Sequence, residues 1–89
     1  MIRQDVTIVN ALGLHARAAA RFVQIAGHFK SHIEVARDGR RADGKSILGL
    51  LALLARQGTR LTIAADGADE QEAVRSLCNL VLAGFGEAG

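Results

Sequence analysis

Eighty-nine residues suffice for one small core and are too few for two, so residues 1–89 are read as a single domain. Apolar residues make up 49% and charged residues 22%, the balance of a globular chain rather than a disordered one. A net charge of +2 is too small to indicate nucleic acid, and with no Trp, Tyr or Pro and three Phe the core must come from Leu, Ile, Val and Ala.

In chain order, Asp5 to Val9 is rich in β-branched residues and reads as a first strand. The chain then turns through Asn10 to Leu14. From Ala16 to about Phe29, Ala19, Phe22, Val23 and Ala26 fall at helical spacing, with Arg17, Arg21, Gln24 and His28 opposite them. His32 to Arg37 alternates as a second strand, Asp38-Gly39 is a strong hairpin signal, and Arg40 to Ala42 returns as a third. Ser46 is a good N-cap for a short helix from Ile47 to about Arg56. Arg60 to Ala65 alternates again. Asp69 with Glu72 resembles a capping box opening a last helix that carries Val74, Leu77, Val81 and Phe85. The order βαββαβα, with its hairpin, predicts an α+β fold with three helices on one face of a four-stranded antiparallel sheet.

The N-terminus has no apolar segment behind a basic patch, and no run approaches the roughly 18–20 apolar residues that span a bilayer. Cys78 is alone, so no internal disulfide is expected; its neighbours Val74, Leu77 and Val81 suggest a buried, inert thiol. These features predict a cytoplasmic protein without membrane insertion. Seven of the eleven Lys/Arg lie between Arg17 and Lys45, a locally basic face suited to acidic partners.

Gly39 to Ser46, GRRADGKS, matches the phosphate-loop pattern Gly-x-x-x-x-Gly-Lys-Ser. Context opposes that reading. Gly39 is already explained by the hairpin, and Arg40 to Ala42 should be strand, whereas a phosphate loop needs those amides curled around an anion. The chain also has no residues left for the larger parallel sheet of such nucleotide-binding domains. A ligand- or RNA-binding module would want exposed aromatics or a richer basic surface. His15, His28 and His32 do not have the spacing of a zinc site, so no metal or cofactor is expected.

LGLHARAAA, Leu12 to Ala20, carries more chemistry. His15 immediately precedes a helix whose first N–H groups, around Ala16 and Arg17, lack intrahelical acceptors and whose dipole is positive there. Both effects stabilise an anion beside the ring. Imidazole is nucleophilic at neutral pH and can hold a phosphoryl group covalently, which Arg17 would contact through charge-assisted bonds. The plain alternative is a capping or surface histidine with Arg17 in a polar stripe.

GLHARAAA, followed by GKSILGL from Gly44, closely resembles the HPr phosphocarrier family of the bacterial phosphoenolpyruvate-dependent phosphotransferase system. The resemblance spans the whole chain and implies an open-faced β-sandwich. It implies that His15 takes a phosphoryl group on Nδ1 from phosphorylated enzyme I and passes it to the A component of a sugar permease or a regulatory relative. The chain would thus be a covalent carrier rather than an enzyme, and a monomer. Arg17 corresponds to the arginine that assists transfer, and Ser46 to a regulatory serine phosphorylated by an ATP-dependent kinase. One position departs from the pattern: Ala18 stands where the family commonly has proline. Alanine is the best helix former, so the helix should survive with slightly less preorganisation.

The second helix is apolar beyond one buried stripe, through Ile47, Leu48, Leu50, Leu51, Leu53 and Leu54. Either a short core helix is apolar nearly all round, or Ile47, Leu48 and Leu51 face outward beside His15. In the second case Arg17, Ala20, Arg21, Ile47, Leu48 and Leu51 form a docking surface rimmed by Arg17, Arg21 and Lys45, suited to acidic, transient partners.

Overall fold

A computed structural model describes residues 1–87. Its elements are β1 (Ile2–Thr7), α1 (Ala16–Ala26), β2 (His32–Arg37), β3 (Arg40–Asp43), α2 (Ile47–Leu51), β4 (Arg60–Asp66) and α3 (Glu70–Leu82), then a 3-10 turn at Gly84–Gly86. The strands form one antiparallel sheet in the order β1-β4-β2-β3. Alternation along the strands separates its faces: Val6, Ile33, Val35, Leu61, Ile63 and Ala65 are buried, whereas Arg3, Asp5, His32 and Arg41 point to the bare side and are exposed. α3 packs on β1 and β4, α2 on β3, and α1 closes against both α2 and α3. This is the expected open-faced sandwich, with all three helices on one face.

Boundaries differ from the sequence expectation where tertiary pairing overrides local preference. β1 begins at Ile2 rather than Asp5, because Ile2 to Thr7 pair continuously with Ala65 to Arg60. Charged Arg3 and Asp5 are tolerated there on the bare face. Ile8 remains buried but lies beyond the regular ladder, bonding Thr59 O through its N–H at 2.9 Å and Gly58 N–H through its carbonyl at 2.8 Å. α1 stops at Ala26 rather than Phe29: His28 and Phe29 donate to the carbonyls three residues back, at 3.0 and 3.1 Å, and so tighten the chain out of the helix. α2 ends at Leu51 rather than Arg56 in the same way, through Leu53 and Leu54, and Leu54 then takes φ 54.

Two side-chain expectations also change. The capping box does not form. The Asp69 carboxylate instead crosses to the loop before β2, accepting from Lys30 N at 2.8 Å, Ser31 N at 3.0 Å and Ser31 Oγ at 2.5 Å. Glu70 Oε1 accepts from Gly67 N at 3.1 Å. Phe85 is fully buried as a core residue, but it sits in the turn after α3, at φ 58, rather than on the helix. Cys78 is buried in α3, and burial pushes its thiol pKa up.

The GRRADGKS segment divides as its context predicts. Asp38 and Gly39 both have positive φ, 47 and 81, the requirement of a tight hairpin turn. Arg40 to Asp43 pair with β2, so their backbone belongs to a ladder and not to an anion cradle. Lys45 Nζ donates to Phe29 O at 2.8 Å, and Ser46 Oγ accepts from Gly49 N at 3.0 Å as the N-cap of α2.

Candidate functional site

The turn before α1 is built to present His15. Gly13 adopts φ +67, and a Cβ there would lie 2.6 Å from Ala55 O, so only glycine lets the two backbones approach. Leu14 N then donates to Ala55 O at 2.9 Å. Buried Asn10 braces the same turn from inside, its Nδ2 donating to Gly13 O at 2.9 Å. The loop is thereby anchored to the residues that follow α2.

His15 emerges from it as the N-cap of α1, extended at φ −83, ψ −178, with its carbonyl accepting from Ala19 N at 2.8 Å. Its side chain makes no cap bond. The first-turn N–H groups of Ala16, Arg17 and Ala18 therefore have no intrahelical acceptor, and the positive end of the helix dipole stays unneutralised beside the ring. Ala18 is fully buried. Ala16, Arg17 and Ala20 are exposed. Arg17 forms no salt bridge among the described residues, which leaves its guanidinium free for an incoming anion.

The imidazole is engaged on one side only. His15 Nε2 meets Glu87 Oε2, while the other Glu87 oxygen accepts from Asn10 Nδ2 at 2.6 Å. The His15 side chain is 27% exposed and that of Glu87 13%. Burial works against the Glu87 charge, but hydrogen bonds from Asn10 and His15, with the Arg21 cation nearby, hold its carboxyl below the ordinary glutamate range. Arg21 Nη1 donates to Phe85 O, which ties α1 to the C-terminal turn. His15 Nδ1 has no hydrogen-bond partner among the described residues. Asn10 Oδ1 is buried and likewise unpartnered among them, so the amide is oriented by its two acceptors.

Sequence reasoning passed over Glu87 and Asn10. Glu87 lies 72 positions from His15, and no local pattern links them. Of the expected docking residues, Leu48 is 80% and Ile47 40% exposed; Leu50, on the opposite side of the same helix from Leu48, is fully buried. Leu51 and Arg21 are half-buried. The short α2 thus faces both ways, core on one side and solvent on the other, against α1. Leu12, before His15, and Leu54, after α2, are also exposed, at 71% and 65%. Ser46 is half-buried at the start of α2 and adjoins Ile47. No helix is long and apolar enough to cross a membrane among the described residues.

A depression of about 330 Å³ lies on the bare sheet face, lined by residues such as Arg3, Glu34, Ala36 and Arg41. None of His15, Arg17 or Ser46 lines it.

Comparison with known proteins places the whole chain beside one family. The family model described as the PTS HPr component phosphorylation site matches residues 2–82. The chain is 48% identical over 87 residues to phosphocarrier protein HPr of Cupriavidus necator, covering 98% of both. It is 43% identical over 81 residues to the HPr-like protein Crh of Bacillus subtilis, covering 91% of this chain and 95% of Crh. Among solved structures, HPr from Thermoanaerobacter tengcongensis superimposes with a TM-score of 0.95 at 42% identity, covering 100% of both chains.

Proposed function

The chain belongs to the HPr phosphocarrier family, and from that premise we propose that His15 is its phosphoryl acceptor, loaded on Nδ1 by phosphorylated enzyme I. The observation that carries this reading is the position of the ring. It stands at the uncapped N-terminus of α1 with Nε2 engaged by Glu87 and Nδ1 unpartnered among the described residues. The Nδ1 lone pair attacks phosphorus, a P–N bond forms, and the bond to the donor breaks with its electron pair leaving to the donor. The phosphoryl oxygens then lie toward the first-turn amides of Ala16 and Arg17 and the Arg17 guanidinium. The same steps in reverse sense deliver the group to the A component of a permease or a regulatory relative. The group is carried covalently and needs no cofactor.

Docking uses the exposed apolar side chains of α2, Ile47 and Leu48, with Leu51 at their margin and Ala20, Arg17 and Arg21 on the adjoining helix. Bulky Leu48 supplies the apolar anchor and the arginines favour acidic partners. One copy of the chain carries both His15 and this patch, so a monomer suffices for the transfer.

Incubation with enzyme I and labelled phosphoenolpyruvate tests the reading. Acid-labile label is expected on the native chain and none on His15→Ala; full labelling of that variant would overturn the assignment. Arg17→Ala is expected to slow loading on the order of tenfold or more, since it removes a charge-assisted contact to the phosphoryl group.

Ser46 is the site of a second modification, by an ATP-dependent serine kinase, with removal by a matching phosphorylase. Added charge at the start of α2 is compatible with the fold, because it lies beside free helix N–H groups. In the docking patch it repels an acidic partner. Ser46→Asp should therefore raise KM for loading by enzyme I while leaving acid-labile labelling of His15 possible at high partner concentration; unchanged kinetics would remove this part of the proposal.

A further inference from the structure

We propose that Glu87 is a positioning residue for the phosphoryl carrier: it fixes the tautomer and orientation of the His15 ring so that Nδ1 is the nucleophile. The inference rests on the reading of His15 as the phosphoryl acceptor and adds a residue from the opposite end of the chain.

An ionised carboxylate only accepts hydrogen bonds, and both oxygens of Glu87 have a donor in front of them. Oε1 takes Asn10 Nδ2 at 2.6 Å, and Oε2 takes His15 Nε2. With a carboxylate as its partner, Nε2 carries the proton of the neutral ring, and the lone pair resides on Nδ1. Asn10 then holds the carboxylate as the carboxylate holds the ring, and Asn10 is itself braced on Gly13 O in the turn that presents His15. Rotation of the imidazole therefore breaks the Nε2 contact to a carboxylate that Asn10 holds in place.

The C-terminal turn is shaped for this contact. Gly84, Phe85 and Gly86 all have positive φ, at 65, 58 and 75. Left-handed backbone at a phenylalanine is strained and persists only where the surroundings enforce it. Here Phe85 is fully buried, and Arg21 from α1 caps its carbonyl. The turn packs against both α1 and α3 and directs the next residue, Glu87, back toward His15.

During transfer Nδ1 gives its lone pair to phosphorus while Nε2 keeps its proton, so the ring takes up positive charge. The adjacent carboxylate stabilises that charge without removing the proton, and it lies on the Nε2 side, away from the phosphoryl oxygens. When the group leaves Nδ1, the bonding pair returns to that nitrogen and the neutral Nε2–H tautomer is restored.

Ring-nitrogen NMR of the 89-residue chain, combined with loading kinetics, tests the proposal. The native protein should show one tautomer, protonated at Nε2. Glu87→Ala should show a mixture of tautomers and a kcat for loading lower by about tenfold, with KM unchanged because the docking patch is intact. Glu87→Gln keeps one acceptor for two donors and should fall between the two in both readouts. A Glu87→Ala protein with native tautomer population or native kcat would overturn the proposal. Failure of the carrier reading shows separately, as label retained by His15→Ala, whereas failure of the Glu87 role leaves the label on His15.

Discussion

Asp69 and Glu87 are carboxylates that each bind a distant loop, and both titrate below the ordinary range for that reason. For Asp69 the largest cause is the Ser31 hydroxyl, followed by the Lys30 amide, with burial opposing them. A native pKa below the unfolded one means that the ionised form favours folding. The contribution is complete above the unfolded value of about 3.9 and is lost as pH falls through the depressed native value. Asp69→Asn, which keeps one acceptor and loses the charge, should lower Tm by several degrees at pH 7. The gap to the native chain should close as pH drops below about 4, in thermal melts followed by circular dichroism. A gap independent of pH would show that the Asp69 charge is not what holds the Lys30–Ser31 loop.

At the scale of the element, α2 shows how one short helix serves two purposes. Five residues, Ile47–Leu51, cannot form a stable helix alone, so its stability comes from burial of Leu50, helped by the Ser46 cap. The early exit through Leu53 and Leu54 sends Leu53 into the core and leaves Leu54 in solvent. Leucines of similar propensity thus have different jobs within one turn. Leu50→Ala should cost about 2–5 kcal/mol in chemical denaturation, as a large-to-small change at a fully buried site. Leu48→Ala, at 80% exposure, should stay within about 0.5 kcal/mol of the native stability yet raise KM for loading by enzyme I. Loss of stability in the second variant, or an unchanged KM, would contradict the division between the two faces.

For the whole molecule, placing every helix on one face of the sheet brings the start of α1, α2 and the end of α3 into one layer. The C-terminal turn reaches His15 because α3 returns along β1 and β4 to pack against α1. Phe85 is the pin of that arrangement. Phe85→Ala should destabilise the chain by about 3–5 kcal/mol and release Glu87 from the ring at the same time. Denaturant melts read the first effect, and ring-nitrogen NMR under native conditions reads the second. A stability loss with the His15 ring unchanged would show that Glu87 holds its place independently of the turn.

The sequence by itself determined the helices, strands and hairpin in their order, because period-two and period-3.6 alternation, Asp38-Gly39 and the Ser46 cap are local signals. It also marked His15 and Arg17, since a histidine before a small-residue helix lies in one contiguous stretch. The splitting of the phosphate-loop pattern could be read the same way, from the hairpin inside it. Only the tertiary structure decided where elements stop. Ile2 joins β1 through its pairing with Ala65, and Leu54 leaves α2 as the chain turns toward β4. Only the fold could bring Glu87 to His15 or turn Asp69 from its own helix to Ser31. Such contacts join residues far apart in sequence, and they arise where a carboxylate meets donors that the fold brings to it, which no local propensity encodes.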